Sequence, residues 1–156
     1  MKQLKDIKTI CNLGCGTMGF GTAIAFAQNG YNVNMYGRKD ASIERATKNI
    51  NFTLNVMVEN NLLTEVGAKE VLSRIHGVTT LKDAAHNADF VIESVAEELS
   101  IKQSVYKEME EYLGEDVIFA TDSSGLSPTE VAAALKHPER FVVAHFWNPP
   151  HLIPLV

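Results

Sequence analysis

Three glycines and one histidine are the residues in this sequence best placed to do chemistry. Gly14-Cys15-Gly16-Thr17-Met18-Gly19 is a G-x-G-x-x-G run. Between a strand and a helix, the first glycine allows the tight turn and the second lets a pyrophosphate approach the backbone. The third lets helix and strand pack closely. The anion then rests on unpaired N–H groups at the positive end of the helix dipole, beside Thr17 and Met18. A glycine-rich turn without a ligand uses the same letters, so the flanking elements decide. Farther along, Ser123-Ser124 and His145 each follow an apolar run of strand length. Oxidation of a secondary alcohol needs a base for the hydroxyl proton and a group that holds the oxygen in line. Imidazole and a serine hydroxyl are suited to these tasks. Ser123 and Ser124 also read as helix caps ahead of Pro128.

The elements that must position these groups follow from alternation. Strand-length apolar runs fall at residues 7–13, 31–36, 90–95, 117–120 and 141–144, with helical patterns between them. That order predicts crossover units, a parallel sheet and helices on both faces. A first helix is expected over 17–29, closed by Gly30. A second is expected over 42–59, where Ile43, Ala46, Ile50, Leu54 and Met57 repeat at the helical period. A further amphipathic helix is expected over 65–75. The last two form a helical-pair insertion longer than a minimal crossover. The expected fold is a Rossmann-type, doubly wound α/β domain with a mainly parallel sheet. In such sheets ligands bind at the carboxyl ends of strands, where the glycine run, Ser123 and His145 all fall. Asn12, polar in a central strand, needs a hydrogen-bond partner if buried.

The end of the second strand reads Tyr36-Gly37-Arg38-Lys39-Asp40. Gly37 stands where a ribose-binding carboxylate is expected, and Arg38 and Lys39 are placed to meet a 2′-phosphate, which admits NADP beside NAD. Alternatively Arg38 stacks on adenine and Asp40 caps the next helix.

Composition excludes other classes. The 156 residues carry a net charge of −5, so no basic footprint for nucleic acid or anionic membrane exists. No apolar run reaches the roughly 18 residues of a membrane span, and the first residues have no signal-peptide core, so a cytoplasmic location is expected. Cys11 and Cys15 read as ordinary thiols rather than a disulfide or metal pair.

Four segments together resemble the N-terminal domain of the 3-hydroxyacyl-CoA dehydrogenase family over essentially the whole chain. They are the glycine run; Glu93-Ser94-Val95-Ala96-Glu97 with Lys102; Thr121-Asp122-Ser123-Ser124; and His145-Phe146-Trp147-Asn148-Pro149 followed by Leu155-Val156. The resemblance implies that NAD is the cofactor and a 3-hydroxyacyl-CoA the substrate, oxidised from 3-hydroxy to 3-keto. It implies that His145 is the general base and that Ser123 hydrogen-bonds the substrate. Glu97, Lys102 and Asn148 are then cofactor contacts, and Thr53 a coenzyme A contact. From the residues alone, Lys102 also reads as a solvated lysine paired with Glu98 at helical spacing. Relatives acting on small free hydroxy acids share the same nucleotide domain. A glutamate orienting the histidine is expected just beyond Val156, and an all-helical, dimer-forming domain beyond that. Residues 1–156 are thus expected to be a dinucleotide-binding domain incomplete at its C-terminal end, inactive alone, from a protein that is a homodimer at full length. A non-catalytic dinucleotide-binding module and a structural use of the fold are the other readings.

Overall fold

The computed structural model describes residues 3–156. Six parallel strands form the sheet: β1 (Thr9–Leu13), β2 (Asn32–Tyr36), β3 (Ile75–Val78), β4 (Phe90–Glu93), β5 (Ile118–Thr121) and β6 (Phe141–Val143). Their order is β3-β2-β1-β4-β5-β6, all neighbours parallel. The order reverses between β1 and β4, which opens a crevice above their carboxyl ends. The helices are α1 (Thr17–Gln28), α2 (Asp40–Glu59), α3 (Glu65–Ser73), α4 (Leu81–Ala85), α5 (Leu99–Tyr112) and α6 (Pro128–Ala132).

Side chains alternate across the strands and so build two cores. Ile10, Val33, Met35, Ile92 and Ala120 face α1, α2 and α3, meeting Ile24, Ile50, Leu54 and Val71. Cys11, Leu13, Val91 and Phe119 face the other way, onto Leu81, Tyr106, Met109 and Val131 of α4, α5 and α6. The same alternation puts Asn12 on the α1 side. Glu93 and Thr121, each two residues after a side chain of the second core, lie on the α5 side.

Five of the six strands match expectation to within three residues at each end, and the helical pair is present. β3 is the correction: residue 75 was expected to end a helix, yet α3 stops at Ser73 and Ile75 opens an edge strand paired with β2 from Val33↔Ile75 to Tyr36↔Val78. Its four residues, Ile-His-Gly-Val, are too few and too mixed to show a period of two, so only pairing with β2 makes them a strand. Gly77 is where Ile43 of α2 lies on the strand; a Cβ there would collide with the Ile43 side chain. No helix among the described residues is long and apolar enough to cross a membrane.

Candidate active site at the strand switch point

The glycine loop is shaped by contacts with its neighbours. Gly14 has φ +117°, and a Cβ there would lie 2.7 Å from the Ser94 carbonyl oxygen. A Cβ on Gly19 would run into the Gly14 carbonyl. Both glycines are therefore demanded by the fold. Gly16, the N-cap of α1, differs: its φ of −72° suits any residue, and nothing lies within 4 Å of a Cβ built on it. That open space lies in front of the free N–H groups of the first turn of α1, a cradle of the size and polarity a pyrophosphate needs.

Asn12 finds the partners its burial requires. Its Nδ2 donates to the carbonyls of Gly14 (2.8 Å) and Gly19 (3.0 Å), and its Oδ1 accepts from the Thr22 hydroxyl (2.8 Å). A polar residue in a central strand thus ties the loop to the helix it opens. Gly37 is buried, and a Cβ there would lie 2.6 Å from Cys15 Sγ and 2.9 Å from Ile43 Cδ1.

Two cavities meet above the switch point and share Ser94 and Val95, the residues directly after β4. One, about 510 Å³, runs from Gly14, Gly16 and Thr17 to Arg38 and the flank of α2. The other, about 360 Å³, is walled by Met18, Glu97, Lys102, Ser124, His145 and Asn148, with Asp122, Phe146 and Trp147. Together they form one groove across the sheet edge, with the glycine loop at one end and His145 at the other.

Beneath the second cavity lies a buried ionic network. Glu93 and Lys102 are both almost fully buried and paired at 2.6 Å. Glu93 also accepts from the Val95 N–H (2.7 Å), the Thr121 hydroxyl (2.7 Å) and the Tyr106 hydroxyl (3.2 Å). Burial, with Glu93 beside it, keeps the Tyr106 phenol well above its ordinary range. Lys102 reaches on to Glu97 at 3.2 Å, and Glu97 accepts from the Ser123 hydroxyl and the Gly125 N–H. Burial resists ionisation of Glu97. The hydrogen bonds from Ser123, Gly125 and Lys102 outweigh it and hold the carboxyl below the usual range. The ammonium of Lys102 is therefore not paired with Glu98, whose carboxylate accepts from Ser100 instead. The cap of α6 is Ser127, which accepts from the Glu130 N–H, not Ser123 or Ser124.

Ser123 is buried behind the wall and lines neither cavity; Ser124 is the serine exposed on it. His145 and Asn148 are exposed on that wall. Phe146 packs inward, its ring 5.9 Å from that of Phe26, while Trp147 stays more than half exposed. Thr53 lies in the middle of α2 and lines neither cavity. Asp122 is a positioning residue that no sequence pattern marks. Its carboxylate accepts from the Phe146 N–H at 2.7 Å and so fixes the peptide next to His145. Burial pushes its carboxyl up, against the pull of that N–H and of the His145 ring. The register β5–β6, which pairs Thr121 with Val143, brings residues 122 and 145 together, and nothing in the linear spacing shows it.

The model of the 3-hydroxyacyl-CoA dehydrogenase NAD binding domain matches residues 9–156. The chain belongs to this family. The matched part is that family's NAD-binding domain. One relative is the 5-formyl-3-hydroxy-2-methylpyridine 4-carboxylate 5-dehydrogenase of Mesorhizobium japonicum. It is 36% identical over 96% of this chain and 48% of its own length. The alpha subunit of the fatty acid oxidation complex of Pseudomonas syringae is 36% identical over 99% of this chain and 21% of its own length. Among solved structures, the (S)-3-hydroxybutyryl-CoA dehydrogenase of Ralstonia eutropha superposes with a TM-score of 0.90. Identity is 34%, over 94% of this chain and 52% of that one. The chain thus spans about half or less of the length of these proteins.

Proposed function

We propose that the whole protein transfers a hydride between NAD and a 3-hydroxyacyl-CoA, interconverting 3-hydroxy and 3-keto forms. The observation that carries this reading is the single groove joining the glycine loop to His145. Gly14, Gly16, Thr17, Met18 and Gly19 hold the pyrophosphate, with Arg38 at the adenosine end. Asn148 and Glu97 meet the nicotinamide side, and Lys102 fixes Glu97 from below. Bound there, the nicotinamide supplies the hydride acceptor or donor. His145 takes the hydroxyl proton in the oxidative direction and returns it in the reductive one. Ser123, whose hydroxyl donates to Glu97 behind the cavity wall, holds the substrate oxygen once its hydroxyl turns from Glu97 toward the cavity beside Ser124. Thr53 is the proposed coenzyme A contact, outside the groove. A homodimeric, cytoplasmic enzyme that takes no nucleic acid and no metal belongs to the same reading.

A second reading has a specific support: the Mesorhizobium relative is named for a free carboxylic acid. Both are tested by reduced-cofactor absorbance with acetoacetyl-CoA and with short free keto acids. The assay compares the domain alone with the domain joined to the C-terminal half of a relative. The joined protein should turn over, and the thioester should win. His145→Gln in it should lower kcat by about 10²–10⁴ while leaving cofactor affinity unchanged. The domain alone should bind NAD without turnover. Full activity of the joined His145→Gln protein contradicts the assignment, and a preference for the free acid selects the second reading.

A further inference from the structure

The adenosine end of the groove departs from what an NAD site requires. Selection for NAD rests on a carboxylate that accepts from the ribose 2′-hydroxyl and repels a 2′-phosphate. Here that position is Gly37, and the structure shows why it has no side chain: Cys15 Sγ, with Ile43, already fills the space. Cys15 sits inside the glycine loop, so the loop itself excludes the acid.

What faces the space instead is cationic. Arg38 precedes α2, and Ser42, Arg45 and Asn49 follow at the spacing of one helix face; all four line the cavity. Burial raises the Cys15 thiol and the Arg45 cation lowers it, so Arg45 acts at the Cys15 end. No carboxylate among the described residues lines this cavity, although the chain's net charge is −5. Two guanidinium groups and a hydroxyl at the rim suit a phosphate dianion. Among the described residues neither arginine side chain is held by a hydrogen bond or ion pair within the fold, and both are exposed.

We propose that the adenosine end of this groove accepts a ribose 2′-phosphate, with Arg38 and Arg45 as the phosphate-binding pair. NADP is then bound at least as tightly as NAD, and Cys15 is the residue that keeps a carboxylate out of position 37. This rests on the reading of the groove as a nicotinamide dinucleotide site.

The experiment is calorimetric titration of the 156-residue chain with NAD and with NADP at low and high salt. The wild type should bind NADP with a Kd equal to or below that for NAD, and salt should weaken NADP more. Arg38→Ala and Arg45→Ala, both surface changes, should each raise the NADP Kd by about tenfold; Arg45→Ala should leave the NAD Kd within about twofold, and Arg38→Ala should weaken NADP more than NAD. The double variant Cys15→Gly/Gly37→Asp removes the obstacle and installs the acid, so it should reverse the preference. NAD binding at least tenfold tighter than NADP in the wild type, with both arginine variants indifferent, overturns the phosphate site alone. Binding of neither nucleotide overturns the dinucleotide reading beneath it as well.

Discussion

At the glycine-loop end of the groove, hydrogen bonds and close backbone packing fix the floor. Asn12 holds two loop carbonyls and the Thr22 hydroxyl, and two of three glycines are fixed by close backbone contact. At the other end no side chain among the described residues hydrogen-bonds the His145 ring. Val142, Val143, Trp147 and Leu155 of the same C-terminal stretch are exposed. The first end is organised before any ligand arrives. The second presents the proposed base, His145, to water in a stretch whose apolar side chains are exposed. An imidazole that must carry charge in a transition state needs an orienting carboxylate and a dry site. On the proposed reading, the contrast separates nucleotide binding, assigned to this domain, from turnover, assigned to the whole protein.

The largest effect is expected where the two ends share support. Lys102→Met leaves Glu93 buried without its cation and should lower unfolding free energy by about 3–5 kcal/mol, read by urea denaturation. It should also loosen Glu97 and Ser123, so any residual nicotinamide-end contact weakens. A loss below about 1 kcal/mol would mean that the network is not the common floor. Asn12→Leu acts at the ordered end alone. It strands two loop carbonyls and should cost about 1–3 kcal/mol, with weaker nucleotide binding at temperatures where the variant is folded. Binding equal to wild type would show that the loop needs no tether.

A smaller effect sharpens the comparison through pH. The Glu97 carboxyl lies below its ordinary range. Its stabilisation is therefore complete above the unfolded value, about 4.3, and is lost as pH falls through the lowered value. Glu97→Gln should cost under about 1 kcal/mol at pH 7, since the side chain is 45% exposed, and progressively less as pH falls through the lowered value. A difference that persists in acid would assign the loss to packing. Smallest of all, His145→Gln should shift neither melting temperature nor NAD affinity of the domain, because the ring is exposed and no described side chain hydrogen-bonds it. A change in either would place His145 in the fold.

The parts legible in the sequence are those encoded locally. The glycine run, the long periods of α2 and the apolar strands 9–13 and 118–121 carry their pattern within a few residues. β3 carries none, since its extended form comes from β2 and its glycine from Ile43. The site followed the same rule. Gly16, His145 and Asn148 stand out by motif and lie on the groove. Lys102 looked like a solvated helix residue because its partner Glu93 is nine positions away, across the β4–α5 turn. Asp122 reaches Phe146 only through strand pairing, and the block at Gly37 by Cys15 crosses two loops. Interactions that close through the sheet leave no periodic trace.

The central claim is that the ordered end holds a dinucleotide on the backbone at Gly16. The φ at that position suits any residue and its Cβ direction is empty, so Gly16→Val should fold with unchanged stability. Its branched side chain would fill the pyrophosphate cradle. Calorimetric titration of wild type and Gly16→Val with NAD, alongside their urea melts, is the direct measurement. The account predicts coincident melts and a Kd raised by at least about tenfold, or about 1.4 kcal/mol. Equal affinities in two equally stable proteins would contradict it.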